Sequence, residues 1–228
     1  MKKKKTTKNF HVCCRIFLAG LVGFVLALTA EARVGDSSNS KLCTETKECL
    51  LFDLVCETST YQVRRYDSVK WVSTNESSYF FEIAAPKMFS KLFKYITGEN
   101  EEGQKIEMTS PVVVRIPEKR IWEKGEYTMS FLLPSEHQSN PPKPTNEDVY
   151  IKETPEMNVY LKSYGGWITT MSDNIKSNAL SSALDAANAA YKKGSHYAVG
   201  YNSPMTILKR NNEVWYMVEG DPVCDTSE

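Results

Sequence analysis

The hydrophobic pattern beyond residue 60 alternates between strand-like and helix-like periods. Short runs rich in aromatic and β-branched residues, bounded by turn residues, predict strands. These lie at 61–66, 69–73, 105–116, 126–133, 149–153, 157–163, 197–201, 205–208 and 213–218. Two longer segments, 80–96 and 173–193, have helical spacing, and we expect Pro86 to open the main part of the first helix. Strands interspersed with two helices indicate an α+β fold.

The two halves of this pattern resemble each other. Trp71 precedes the first helix and Trp167 the second, 96 residues later. The pair Ser110-Pro111 follows the first helix, and Ser203-Pro204 follows the second, 93 residues later. The nearly constant offset predicts a duplicated β–α–β unit with pseudo-twofold symmetry. Chance similarity of short motifs is the alternative.

The first 32 residues have the pattern of a secretory signal peptide. Basic residues open the chain, the segment 16–28 is almost wholly apolar, and Ala30 and Ala32 are small residues at both key positions of a cleavage site. The apolar run is shorter than the roughly 20 residues that a spanning helix needs. We therefore predict cleavage after Ala32 and no stable membrane insertion, with an uncleaved signal anchor as the alternative. Residues 33–53 are polar and aperiodic and form a predicted cysteine-containing leader.

Removal of the signal peptide changes the charge balance. The full chain has 28 basic and 28 acidic residues, of which residues 1–32 hold six basic and one acidic. The mature chain keeps 22 basic and 27 acidic residues, a net charge of about −5. An acidic surface argues against nucleic acid as a partner. The remaining length of 196 residues suits one domain with a sizeable core.

Four cysteines remain after the predicted cleavage, at positions 43, 49, 56 and 224. An even number in an oxidising compartment predicts disulfides. Cys224 should pair with one of the three cysteines near the start and so join the two ends of the mature chain. Of the three possible pairings we favour Cys43–Cys49 with Cys56–Cys224. The sequon at 75–77 predicts a glycan on Asn75.

Several motifs, in order along the chain, resemble the SOUL/heme-binding protein family. They are YQVRRYDSVKWVST at 61–74, KIEMTSPV at 105–112, the proline-rich stretch from 134, GYNSP at 200–204 and RNNEVW at 210–215. The resemblance implies a domain over 54–221, followed by a tail at 222–228 that carries Cys224. It also implies a distorted antiparallel β-barrel of two four-stranded sheets flanked by two helices.

The same resemblance implies a tetrapyrrole groove formed by the first helix and the loop after the second Ser-Pro pair. On the helix, Phe89 and Phe93 form an apolar row beyond the core stripe that could stack on a flat ring, and Lys94 could meet a propionate. The loop supplies the remaining candidates, two of them basic and able to neutralise carboxylates: Met205, Thr206, Lys209 and Arg210. The alternatives are a helix buried on two sides and an ordinary solvated loop.

Arg65 departs from the SOUL pattern, in which this position is a histidine proposed to ligate heme iron. An arginine keeps its proton and has no lone pair to give. If heme binds, it lacks this axial bond or takes one from another residue, and the candidates are His196, His137, Met88 and Met205. Both histidines also fit ordinary polar roles, so we expect no dedicated metal site and keep His196 as a weak candidate.

Enzyme signatures are missing from the sequence. It has no Gly-rich phosphate loop, no G-x-S-x-G and no H-E-x-x-H. We expect a secreted, monomeric, non-enzymatic carrier or scavenger that binds heme or a related tetrapyrrole. The alternative is a protein-interaction or signalling module on the same scaffold with little heme affinity.

Overall fold

The computed structural model describes residues 33–120 and 122–224, so the predicted signal peptide, Ile121 and residues 225–228 lie outside the described residues. The elements in chain order are β1 (Val34–Asp36), β2 (Glu48–Leu50), β3 (Asp53–Glu57), β4 (Gln62–Tyr66), β5 (Val69–Ser78), α1 (Phe81–Ile96), β6 (Val112–Pro117), β7 (Gly125–Leu132), α2 (Ser135–Gln138), β8 (Val149–Thr154), β9 (Met157–Tyr164), α3 (Thr170–Ala186), β10 (Ser195–Gly200) and β11 (Asn212–Met217). The predicted α+β class is confirmed. None of the helices in these ranges is long and apolar enough to cross a membrane.

Nine strands form one antiparallel sheet in the order β3–β4–β9–β11–β10–β6–β7–β5–β8. From β4 to β8 the order is symmetric about the β10–β6 pair, which runs from Ser195 opposite Pro117 to Gly200 opposite Val112. The units β4-β5-α1-β6-β7 and β8-β9-α3-β10-β11 therefore take equivalent places in the sheet, as a duplication requires. The two expected four-stranded sheets are only roughly matched, because the β6–β10 hydrogen bonds join them into one curled half-barrel.

Each unit contributes its first strand to the other half of the sheet. β4 pairs with β9 rather than with β5, and β8 pairs with β5 rather than with β9. The short connections at 67–68 and 155–156 therefore carry the chain between the two halves of the curled sheet instead of closing hairpins.

The motif pairs that suggested the duplication do not occupy equivalent positions. Ser110-Pro111 directly precedes β6, whereas Ser203-Pro204 follows β10. Trp71 is buried within β5, while Trp167 is half exposed between β9 and α3. The two Ser-Pro segments nevertheless lie close together, because β6 begins where the antiparallel β10 ends, and Ser110 Oγ donates a hydrogen bond to the Tyr201 carbonyl at 3.1 Å.

The alternation of side chains along the strands divides the core into three layers. On β7, Met129 and Phe131 pack under α1, whereas Leu132 packs in the interior of the curled sheet. On β11, Tyr216 packs under α3 and Trp215 packs in the interior. The helices thus cover the outer faces of the two half-sheets, and the interior is a separate layer.

A buried ion pair lies in the interior layer. Arg64 Nη1 donates to Glu213 Oε1 at 2.9 Å, and the two residues are 4% and 0% exposed. Glu213 Oε2 accepts hydrogen bonds from Tyr201 Oη at 2.9 Å and Trp215 Nε1 at 2.8 Å. Burial is the larger cause, and the charge of Glu213 the next, of a pKa of Tyr201 well above its ordinary value. Both carboxylate oxygens are paired, so removing one partner would leave a buried charge uncompensated.

Both long helices begin before the predicted positions. α1 begins at Phe81, so the expectation that Pro86 opens the main helix is wrong and the proline lies inside it. Pro86 removes one helical hydrogen bond, but the additional turn buries Phe81 and Ala84 in the layer under α1. α3 begins at residue 170 rather than 173, because Thr169 and Ser172 form a reciprocal capping box.

Two segments predicted as strands are loops. Residues 105–111 cross the end of α1, where the Ile106 amide donates to the Ile96 carbonyl at 2.8 Å. Residues 205–208 form an exposed loop in which three large apolar side chains face solvent: Met205, Ile207 and Leu208. An apolar run alone does not distinguish such a loop from a strand.

The leader at 33–53 folds against the barrel. β1 pairs with β2, and Val34, Cys49 and Leu50 are buried in the interior layer. Disulfides join Cys43 to Cys49 and Cys56 to Cys224, with Cα separations of 6.1 and 6.0 Å. This is the pairing favoured from the sequence. The second bridge ties β3 to the C-terminal segment.

Candidate ligand-binding groove

Two stacked aromatic rings lie on the outer side of α1. Phe89 and Phe93 are one helical turn apart, with ring centroids separated by 5.8 Å and an interplanar angle of 14°. Phe89 is partly buried and meets the Phe131 ring edge-on at 5.2 Å. Phe93 is 47% exposed. The sheet therefore fixes the inner ring, and the outer ring offers an apolar face to solvent.

The margin of the α1 layer adds apolar residues that the sequence did not indicate. Met108, Val112 and Ile168 are partly buried against the same core as Phe89. They come from the loop before β6, from β6 itself and from the connection before α3, so they share no periodic pattern. Only the fold brings them to one layer. With Phe89 they form part of the half-buried apolar margin of this layer.

Lys94 is the basic group of α1 next to this stack. Its Nζ lies 3.5 Å from Glu99 Oε1, and both side chains are more than half exposed. Exposed ion pairs contribute little free energy. A ligand carboxylate could therefore replace Glu99 at low cost.

The loop at 202–210 is held by a carboxylate of the leader. Glu45 accepts hydrogen bonds from the Ser203 amide and from Thr206 Oγ1, both at 2.7 Å. Partial burial acts to raise the pKa of Glu45, but these hydrogen bonds and the charge of Arg210 lower it overall below its ordinary value. The predicted ligand residue Thr206 is thus already paired within the protein.

Arg210 also stabilises this loop. It is buried, and its Nη1 donates to the carbonyls of Ser203 and Thr206 at 2.9 and 2.7 Å. Its guanidinium lies 4.4 Å from the centroid of the Trp167 ring. Of the four loop candidates, Met205 and Lys209 face solvent, whereas Thr206 and Arg210 maintain the loop conformation. Within the described ranges, the hydrogen bonds of these four do not join the loop to α1.

Arg65 lies on the α3 side of the sheet. It is on β4, and Val63, which shares its face of that strand, packs in the layer under α3. α1 packs instead against β5, β7 and β8. Arg65 is half exposed and forms an ion pair with Asp53 at 3.4 Å. This position is therefore separate from the Phe89–Phe93 stack.

The other four candidate axial ligands are either buried or lie outside α1. Met88 is fully buried, and Met205 is 87% exposed on the loop. His137 is buried in α2, and His196 is buried and bonded to Asp173 at 2.6 Å. In the described part of the chain, no three His, Cys, Asp or Glu side chains are grouped to hold a metal ion. Each of these four candidates is therefore either buried or exposed on the loop after β10.

Comparisons with known proteins agree on the family. A family model described as SOUL heme-binding protein matches residues 47–217. Heme-binding protein 2 of Homo sapiens is 36% identical over 164 residues, covering 72% of this chain and 80% of that protein. Heme-binding protein 2 of Mus musculus is 33% identical over 171 residues, covering 75% and 83%. The solved EcmrR C-terminal domain, at 9% identity, covers 70% of this chain and 98% of its own with a TM-score of 0.50, a likeness of fold alone. This chain belongs to the SOUL heme-binding protein family.

Proposed function

We propose that this protein is a secreted, monomeric, non-enzymatic carrier or scavenger that binds heme or a related tetrapyrrole beside α1. The observation that carries the proposal is the Phe89–Phe93 stack, whose outer ring is about half exposed. The names of the relatives support the ligand class.

In this proposal Phe93 stacks on the macrocycle, Phe89 fixes the position of Phe93, and Lys94 and Lys209 neutralise the propionates. Covering an exposed apolar ring removes surface from water, which contributes about 25 cal/mol per Å². Because position 65 is an arginine, we expect the bound heme to lack an axial histidine from that strand.

Secretion is inferred from the pattern of residues 1–32, and the two disulfides are consistent with an extracellular protein. Asn75 is exposed, and its Oδ1 accepts a hydrogen bond from Tyr150 Oη at 3.0 Å, which leaves its Nδ2 for a glycan.

A protein-interaction module is the second candidate function. Three large apolar side chains on the loop after β10, Met205, Ile207 and Leu208, are 87%, 74% and 78% exposed. Exposed apolar patches commonly mark interaction surfaces. The internal pairing of Thr206 and Arg210 also removes two groups from propionate recognition.

The test is a hemin titration of the secreted, disulfide-bonded protein, followed by the Soret band. Phe93→Ala and Phe89→Ala/Phe93→Ala should weaken binding at least about tenfold. Ile175→Ala is the matched control, since Ile175 is 55% exposed on α3, and it should bind like the unmodified protein. One saturable equivalent that depends on Phe93 supports the carrier. Weak, non-saturating binding equal in all variants would overturn it and favour the interaction module.

A further inference from the structure

A cavity of about 520 Å³ lies between the first turns of α1 and α3, over the centre of the sheet. Both duplicated units contribute to its walls. Phe81 and Tyr127 come from the first unit, and Asp173, His196 and Tyr216 come from the second. Phe89 and Phe93 are not among its described lining residues, so the cavity is separate from the proposed tetrapyrrole groove.

The cavity contains a buried carboxylate–imidazole pair with two unused atoms. Asp173 and His196 are 1% and 4% exposed, and Asp173 Oδ2 lies 2.6 Å from His196 Nε2. Asp173 Oδ1 and His196 Nδ1 are buried and have no hydrogen-bond partner within the described residues. Buried polar atoms are normally paired, because leaving them unpaired costs free energy. Two such atoms, in residues that line one cavity, make it a candidate binding site.

Both unused atoms are hydrogen-bond acceptors in the tautomer that has the His196 ring proton on Nε2. A carboxylate oxygen can only accept, and when His196 Nε2 carries the ring proton toward Asp173, Nδ1 also accepts. The lysines that line the cavity are already engaged. Lys119 Nζ donates to the Tyr79 carbonyl at 2.8 Å, and Lys193 Nζ donates to Asp185 Oδ1 at 2.9 Å. Neither lysine therefore donates to the two buried acceptors.

The charge of Asp173 reaches the aromatic wall. Burial raises the pKa of Tyr127, and nearby carboxylates that include Asp173 raise it further. Burial and nearby negative charge, again including Asp173, raise the pKa of Tyr216 to about 12. The Lys193 ammonium lies over the Tyr191 ring, 3.7 Å from its centroid. This wall already binds one cation by its aromatic face, which is a favourable arrangement in proteins.

We propose that this cavity binds a small aromatic cation that carries N–H donors, an amidine or a primary amine. Its N–H groups pair with Asp173 and His196, and its ring packs against Tyr127 and Tyr216. A carboxylate or phosphate ligand would be repelled by Asp173, and a quaternary ammonium would leave both acceptors unpaired. The site does not depend on the proposed tetrapyrrole function.

The test uses benzamidine as the probe and calorimetric titration of the full secreted protein. Benzamidine should bind with one equivalent, and more tightly than benzoate, which carries the opposite charge, or trimethylanilinium, which has no N–H group. Asp173→Asn removes the charge with little change of shape and should weaken binding at least about tenfold. Phe93→Ala should leave benzamidine binding unchanged, which separates this site from the tetrapyrrole groove.

A second variant covers the case in which Asp173→Asn does not fold. Ser181 lines the cavity away from the buried pair, and Ser181→Trp should fill that end and weaken benzamidine binding to a similar degree. Tighter binding of benzoate would overturn the proposal. So would equal benzamidine affinity in the unmodified protein and Ser181→Trp, or no binding at all, which would leave water as the partner of the two acceptors.

Discussion

The interior pair Arg64–Glu213 offers a sharp test of what stabilises the barrel. Replacing Arg64 with Met keeps much of the side-chain volume but leaves the Glu213 carboxylate buried without its cation. Replacing Glu213 with Gln keeps the shape and leaves the guanidinium without its anion. Combining the two changes makes the site neutral again.

The expected magnitude follows from burial. Neither residue is more than 4% exposed, and breaking a buried ion pair from one side typically costs about 3–5 kcal/mol, because the remaining charge loses its partner. Glu213 would keep its bonds from Tyr201 and Trp215, and Arg64 would keep Gln62, whose Oε1 lies 2.7 Å from Nη2. We therefore expect each single variant to lose stability by the lower part of that range. The double variant should lose about 2 kcal/mol less than the sum of the two single losses.

Urea denaturation of the oxidised protein at neutral pH measures the four unfolding free energies of this double-mutant cycle. The control cycle uses Lys47→Met and Glu107→Gln, an exposed pair at 3.2 Å, which should change stability little. Additive effects of the Arg64 and Glu213 changes, within about 0.5 kcal/mol, would refute the reasoning.

Three further predictions concern the disulfides, the loop after β10 and alkaline pH. The bridged residues are 168 positions apart for Cys56 and its partner and six apart for Cys43 and its partner. Loop-closure entropy therefore predicts that replacing the first pair with Ala lowers the free energy of unfolding by about 5 kcal/mol, and replacing the second pair lowers it by about 2 kcal/mol. Equal losses, measured by urea denaturation, would contradict this account. The lowered pKa of Glu45 means that its stabilisation of the loop is present above about pH 4.5 and lost as the pH falls further. Glu45→Gln or acid should therefore lower the protection factors of the backbone amides at 202–206, taken relative to the intrinsic exchange rate at each pH, and unchanged protection would contradict this account. Burial, and to a smaller extent the charge of a nearby acid, raises the pKa of Tyr95 from 10.0 to about 12. The contribution of Tyr95 to the free energy of unfolding is therefore complete below pH 10 and lost as the pH rises toward 12. A Tyr95→Phe variant whose stability falls equally steeply over this range would contradict this.

The strand pattern was predictable to a large extent because most strands carry local periodicity. Residues 149–154 and 157–164 were found nearly to the residue, since alternating apolar positions and a turn at 155–156 define them. The pairing of β4 with β9 was not predictable in this way. A two-residue connection such as 67–68 normally indicates a hairpin, and only the closure of the whole sheet decides otherwise.

The candidate site was partly visible in the sequence. Phe89 and Phe93 stood out because they exceed what one buried helix face requires, and the structure stacks them. Thr206 and Arg210 were chosen for their side-chain chemistry, but Glu45 from a distant segment pairs with the loop, which no local pattern indicates. Asp173 was unmarked because its partner His196 is 23 residues away on another element.

The exchange of first strands makes the two units interdependent. A cut in the proline-rich segment between β7 and β8 would leave each half-sheet without its outer strand, which the other fragment carries. β8 would lose its neighbour β5, and β4 would keep only β3. Neither fragment should fold alone, yet the two should reassemble as complementary halves, much as domain-swapped subunits do. The bridge between Cys56 and Cys224 would keep them covalently joined after such a cut. Proteolytic nicking at that segment would therefore leave a molecule that still unfolds in one cooperative transition.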